Sequence, residues 1–435
     1  MTAQSVGRTP FIRPDRSENI KKFPRSSGMS AARRPGTVRP ALMLLLVLLM
    51  LMSILPAPAA ARDTFVLGSG GQAVLEIKQR LQALNYLGKG NLNGRYTEKV
   101  VEAVCLFQTL NGLEVTGEVD DATREALFAD TAVRNPWATM PPVATPAPTP
   151  TPDWPKRDGD GYLDGEGEYF YENDDEGLWI YLNASLQIII TRREDSAIPL
   201  VWFETEILTR EGETFRAAVS DPDHIWRGYR YPYEYAKDEG FVLAFSDDFF
   251  ADRVTAEKTV GIIIRNGRIL SDKTYRQPGH QLPNLDMMAQ YPDGRLEVYL
   301  CSEHTAQELI DMGAVNVYSF GPILIRDGEI NELLYDAFYR SLEPRQALGM
   351  IAPGHYLLIS CQGRRKDSVG TPLQRIAEIM KERGVTQALN LDGGNTMALI
   401  FRGRMLNKLA TYKNKEFIRQ VTSIIGIGYT PDQAE

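Results

Sequence analysis

Residues 387–400 read Gln-Ala-Leu-Asn-Leu-Asp-Gly-Gly-Asn-Thr-Met-Ala-Leu-Ile, and no other stretch constrains the fold as much. An apolar run leads into Asp392, Gly393 and Gly394 turn the chain, and a second apolar run leaves. Glycine takes φ > 0 freely and lets other atoms approach the main chain closely. The pattern predicts two strands, with a carboxylate at the carboxyl end of the first. Asp-Gly is also a common hairpin signature, so this stretch alone leaves Asp392 open between chemistry and turn formation.

The preceding region is rich in short runs of β-branched and aromatic residues bounded by Gly, Asp and Asn. Residues 179–181, 186–190, 201–203, 259–264, 296–300 and 356–360 are predicted strands. Two helices are also predicted. One runs over 305–312 and stops at Gly313. The other starts with Thr371 as N-cap, Pro372 at the first helical position and Gln374 closing a capping box, and stops at Gly384. Arg265-Asn266-Gly267 reads as a hairpin. The expected class is α+β with mixed β-sheets.

The N-terminal part is different. Residues 1–40 carry nine Lys/Arg against two Asp/Glu and read as a disordered basic cytoplasmic leader. Residues 41–61 begin with an uncharged apolar run, Ala41 to Leu55, and end in small residues of the Ala-x-Ala kind. The basic flank keeps the N-terminus inside, so the rest of the chain is expected outside the cell. The segment fits a transmembrane anchor and a cleaved signal equally well.

Within 63–130, Val74, Ile77, Leu81 and Leu84 make one helical stripe, and Val100, Val101, Val104 and Phe107 make another. A third short helix spans 121–127, giving a small three-helix bundle. Residues 131–156 are a Pro/Thr-rich spacer. Residues 157–200 hold an acidic loop and leading strands. The loop Asp158 to Glu166 alternates oxygens with glycines, but its twelfth position is Tyr169, so it does not complete an EF-hand. Calcium there is a minor expectation, and no other cofactor or metal is expected. Cys105, Cys301 and Cys361 do not make a disulfide framework, although a Cys301–Cys361 bridge is open. The net charge of −8 argues against a general nucleic-acid binder.

Several C-terminal segments occur in a telling order: Ala244 to Phe250, Ile264 to Gly267, Tyr318 to Gly328, Glu343 to Gly349, and the Asp392 turn. Together they resemble the phosphodiester glycosidase family, over about 201–432. Residues 63–130 resemble a peptidoglycan-binding module through Gly71, Gln79, Leu81, Gly94, Thr97, Ala103, Phe107, Gln108, Gly112, Leu113, Gly117 and Leu127. Two motifs depart from the family pattern: Asn395 and Thr396 follow the glycine pair, and Ser246-Asp247-Asp248-Phe249 replaces the usual Asn-Gly start.

The resemblance implies an extracellular hydrolase of a sugar-1-phosphodiester in a phosphosugar polymer, retained at the wall through peptidoglycan. Such an enzyme binds a phosphate and assists departure of a sugar through an oxocarbenium-like state. A guanidinium suits the phosphate, and Arg345 in the Pro344-Arg345 motif is the candidate. Asp392 and Asp248 are the candidate carboxylates. Gly393, Gly394, Asn395, Thr396, Arg265, Ser319 and Gly321 are expected to line the substrate site. His304 reads as a neighbour of a helix cap. The alternatives are a non-catalytic phosphoglycan-binding scaffold and, last, a metal-dependent phosphodiesterase, for which the dense His/Asp ligand sets are lacking.

Overall fold

Side chains alternate between the two faces of a strand, and this builds the centre of the molecule. In the strand His355–Cys361, Leu358 joins one apolar core while Leu357 and Ile359 join another. In the paired strand Arg345–Ala352, Leu348 and Ala347 divide the same way. Each fully buried Leu or Ile contributes about 1.5–3 kcal/mol.

The computed structural model describes residues 64–88, 92–135, 154–195, 198–223, 227–248, 261–273, 285–335, 339, 341–412 and 415–429. The basic leader and the apolar segment 41–61 lie outside the described residues, as does most of the Pro/Thr-rich spacer. Among the described residues no helix is long and apolar enough to cross a membrane.

Three helices, α1 (Gln72–Ala83), α2 (Glu98–Leu110) and α3 (Asp121–Phe128), share one core that includes Val74, Leu81, Val104, Phe107 and Leu127. Gln108 is buried within it. Its amide nitrogen donates to the Thr123 hydroxyl at 3.0 Å, and its oxygen accepts from the Gly117 N–H at 2.9 Å.

The C-terminal part is dominated by a nine-stranded sheet. Its order is Tyr169–Asn173, Leu178–Leu182, Leu186–Asp195, Leu200–Thr209, His355–Cys361, Arg345–Ala352, Gln387–Leu391, Ile323–Arg326 and Glu329–Ile330. Two five-stranded sheets pack against one face, with Phe245, Leu399 and Ile425 from one and Met288 and Tyr318 from the other entering the shared core. Among the described residues the remaining α-helices are α4 (Pro232–Asp238), α5 (Ala306–Asp311) and α6 (Leu373–Glu382). The α6 stripe of Leu373, Ile376, Ala377 and Met380 covers the other face of the large sheet. Buried Gln346 links the layers: its oxygen accepts from Ser246 N–H at 2.9 Å, and its nitrogen donates to Ser360 Oγ at 2.7 Å and Ala398 O at 3.0 Å.

Some expectations need correction. The sheets are not mixed, because every pairing among the described strands is antiparallel. A strand–helix–strand order suggests parallel neighbours, but here Arg345–Ala352 lies between the two strands that α6 connects and pairs with both. Thr371 does not cap α6. Pro372 takes the N-cap position, and the Thr371 backbone pairs with Glu343 instead. Cys301 and Cys361 are not bridged, and Cys105 is a thiol as well. Asp158 turns its carboxylate to Arg210 at 2.5 Å and to the N–H groups of Asp160 and Tyr162. The hairpin at Asn266-Gly267 is present, with φ of 52° and 77°.

The helical part packs directly against the sheets. Arg62–Glu435 is one compact unit. Leu106 and Leu110 of α2 pack against the core beneath α6, and Tyr412 packs against the helical core.

Candidate active site

Asp392 is presented by the strand Gln387–Leu391, all of whose residues are buried. The neighbouring strand pairs Ala347 with Asn390 and Gln346 with Leu391. Continuing that register by one residue sets Arg345 opposite Asp392. The chain then turns against its neighbour. A Cβ at residue 393 would sit 2.4 Å from the Pro344 carbonyl oxygen, so only glycine fits without displacing one strand end from the other. Gly394 takes φ 61° and donates its N–H to the same carbonyl at 3.0 Å. This turn is not a hairpin. The next strand, Leu399–Phe401, belongs to a five-stranded sheet, so Asp392 stands where the chain passes between sheets.

A cavity of about 280 Å³ opens at this point. Of the predicted site residues, Asp392, Arg345, Gly393, Gly394, Asn395 and Gly321 line it. The Arg345 Nη2 donates to Ser341 Oγ at 2.9 Å and Ser341 O at 3.3 Å, while its Nε has no protein partner. Burial lowers the Arg345 pKa against the pull of Glu343 and Glu102. The guanidinium stays charged all the same.

Asn395 and Thr396 use their polar atoms internally. Asn395 donates to Ala410 O at 2.9 Å and accepts from Arg364 at 2.8 Å. The Thr396 hydroxyl donates to Gly393 O. They hold the turn in place.

Asp248, Arg265 and Ser319 form a separate buried cluster, and none of them is among the residues lining the cavity. Asp248 accepts from Arg265 Nη2 at 2.7 Å and from Ser319 N–H at 2.8 Å. The Arg265 guanidinium lies 4.4 Å from the centre of the Tyr318 ring. The second predicted carboxylate therefore has a structural set of partners.

Sequence reasoning missed several cavity residues. Asn390, 2% exposed, donates to Gly321 O at 2.9 Å and leaves its own Oδ1 without a protein partner. Strand alternation was the available signal, because residues 390 and 392 share a face. Arg364 is the hub of the site. It donates from Nε to Glu343 at 2.9 Å, from Nη1 to Asn395, and from Nη2 to Glu102 of helix α2. Burial pushes the Glu102 carboxyl up to about 8, with Arg364 opposing and Glu343 adding. Burial would raise Glu343 too, but Arg364 and the hydrogen bond from Glu102 bring it below the usual range. The two carboxyls are thus shifted in opposite directions, Glu102 up and Glu343 down.

A strand-end carboxylate beside an arginine, inside an antiparallel α+β fold, defines a candidate hydrolase site for an anionic substrate. Residues 239–428 match the phosphodiester glycosidase family model, and residues 70–127 match the peptidoglycan binding domain model. The two matches fall on separate parts of the chain. It is similar to the SPbeta prophage-derived uncharacterized protein YomE of Bacillus subtilis (strain 168), 26% identical over 180 residues. That match covers 41% of this chain and 27% of the relative's length. Among solved structures it is similar to the zebrafish N-acetylglucosamine-1-phosphodiester alpha-N-acetylglucosaminidase catalytic domain auto-inhibited by pro-peptide, with 18% identity and a TM-score of 0.46 over 56% of this chain and 83% of that one. A hypothetical protein from Synechocystis shows 15% identity and a TM-score of 0.40 over 56% and 62%.

Proposed function

We propose that this protein hydrolyses a sugar-1-phosphodiester in a phosphoglycan and is held at the cell wall by its helical module. The observation that carries this reading is the placement of Asp392 and Arg345 at one cavity, on paired strand ends, inside the segment that matches the phosphodiester glycosidase model.

Water attacks the anomeric carbon, the bond from that carbon to the phosphate oxygen breaks, and a phosphomonoester leaves with the bonding electrons. Arg345 binds the phosphate, which carries charge before and after cleavage. A phosphate ester leaves as an anion, so the cationic contact does much of the work that a general acid does for a neutral leaving group. Asp392 acts on the sugar side, either as the base that takes the attacking water's proton or as a nucleophile that displaces the phosphate first and forms a glycosyl ester that water then hydrolyses.

Extracellular placement is part of the proposal. It is supported by the basic leader followed by the apolar segment 41–61. Wall retention is supported by the peptidoglycan binding domain match at 70–127.

The test incubates the protein with N-acetylglucosamine-1-phosphodiesters and with teichoic-acid fragments, beside an Asp392→Ala control. Mass spectrometry follows free sugar and phosphomonoester. Sugar released by the parent alone supports the glycosidase. Tight binding without turnover favours a phosphoglycan-binding scaffold, and sugar-phosphate as product moves cleavage to the other side of the phosphate.

A further inference from the structure

The cavity at Asp392 is not made by the glycosidase-like part alone. Glu98, Lys99 and Glu102, all on helix α2 of the helical module, line the same cavity as Asp392 and Arg345. We propose that α2 completes the catalytic cavity and that Lys99 is its substrate contact, binding the anionic phosphodiester together with Arg345. This rests on the proposed phosphodiester glycosidase activity and names a specificity-determining residue outside the segment that matches the phosphodiester glycosidase model.

Three observations carry the proposal. The first is that the contact between the two parts is built from both sides. Arg364 bridges Glu102 and Glu343, Leu106 and Leu110 enter the core under α6, and Tyr412 enters the helical core. Polar and apolar contacts together fix where α2 lies.

The second is the charge arrangement. Arg364 is committed to two carboxylates and to Asn395. Arg345 keeps its Nε without a protein partner. Lys99 is half-buried and lines the same cavity as Arg345, Glu343 and Glu102. Burial disfavours its charged form and Arg345 adds to that, while the two carboxylates oppose it. The cavity lining balances Lys99, Arg345, Arg364 and Arg419 against Glu98, Glu102, Glu343 and Asp392, and an anion placed between Lys99 and Arg345 is attracted by both.

The third is the helix itself. Glu98 and Lys99 belong to the first turn of a 13-residue helix, whose N–H groups carry partial positive charge. An anion at that end is favoured even though Glu98 is exposed there.

The experiment measures initial rates of the full chain on an N-acetylglucosamine-1-phosphodiester, for the parent, Lys99→Met, Lys99→Gln and Lys99→Arg. Both neutral variants should raise KM about tenfold with a much smaller change in kcat, and arginine should restore most of it. Thermal midpoints should stay together, because a merely structural lysine would lower them and leave KM alone. Calorimetry of the same diester with Asp392→Ala and with Asp392→Ala/Lys99→Met should show a matching loss of affinity.

If the parent turns the diester over and the neutral variants keep its KM, the proposal is overturned and the glycosidase reading stands. If the parent neither turns over nor binds the diester, the glycosidase reading fails first. A rise in kcat/KM for Lys99→Met also overturns the proposal, by showing that α2 obstructs the cavity.

Discussion

Arg364 donates one hydrogen bond to Glu102 of the helical module and another to Glu343, two residues before Arg345. One guanidinium thereby joins helix α2 to the segment that carries the candidate phosphate ligand. The pair of carboxylates around it is asymmetric, with Glu102 raised to about 8 and Glu343 lowered.

That asymmetry predicts how stability depends on pH. A carboxyl whose pKa is raised by folding binds its proton more tightly in the folded state, so stability is lost as pH rises between the ordinary carboxyl value and about 8. Glu343 acts oppositely, and its contribution is lost as pH falls below the ordinary value. Arg364 stays charged throughout, and Lys99 faces the same pair. Glu102→Gln keeps an acceptor for Arg364 and cannot titrate. The urea midpoint of the parent should fall from pH 5 to pH 8 relative to that of Glu102→Gln. Parallel pH profiles would sink this assignment.

Gly393 offers a steric prediction. Its φ is −124°, which any residue adopts, so the demand for glycine comes from contact and not from backbone strain. Gly393→Ala drives a methyl into the Pro344 carbonyl, and the strand ends must separate. The expected cost is about 1–3 kcal/mol of stability. Because Arg345 and Asp392 flank that contact, turnover should fall by more than the loss of folded protein explains. Activity normalised to folded protein by circular dichroism checks this. Unchanged specific activity would mean that the turn does not set the spacing of the two groups.

Much of this was legible in the sequence, and the failures have physical causes. The strands were visible because β-branched and aromatic runs end at Gly, Asp and Asn, and the Leu373–Met380 stripe marked α6. Helix α4 was not foreseen. Its N-cap is Tyr231, which offers no short capping side chain, and the remaining cues were Pro232 at the first position and Glu234, whose carboxylate accepts from the Tyr231 N–H at 2.7 Å. Asp392 and Arg345 were found through short motifs. Asn390 was hidden inside an apolar run, although strand alternation places it on the same face as Asp392. Lys99 and Glu102 had no signal at all, because a domain-by-domain reading cannot show that one module's surface helix faces another's cavity.

Arg345 should not tolerate lysine. It contacts Ser341 through one nitrogen of a planar fork whose buried Nε has no protein partner, a geometry that an ammonium cannot reproduce. Arg345→Lys should raise KM for a phosphodiester, because the phosphate is bound in the ground state, and also lower kcat, because charge grows on the leaving phosphate in the transition state. A phosphate-free aryl glycoside, if turned over at all, should be affected far less. Equal losses on both substrates would remove Arg345 from phosphate binding.

Asp248 and Asp392 should differ in kind. The Asp248 carboxylate is fully buried and paired with Arg265, which is itself 3% exposed on its side chain. Removing one partner of such a pair leaves a buried charge less compensated and typically costs ~3–5 kcal/mol. Asp248→Ala should therefore lower the thermal midpoint strongly, with lost activity following lost folding. Asp392 lines the cavity at a strand end, so Asp392→Ala should leave the midpoint nearly unchanged and reduce kcat by about 10²–10⁴-fold. Thermal unfolding beside initial rates separates the two. A stable, inactive Asp248→Ala would return that residue to the chemistry, in a site wider than the cavity at Asp392. A destabilised Asp392→Ala that keeps its specific activity would take Asp392 out of it.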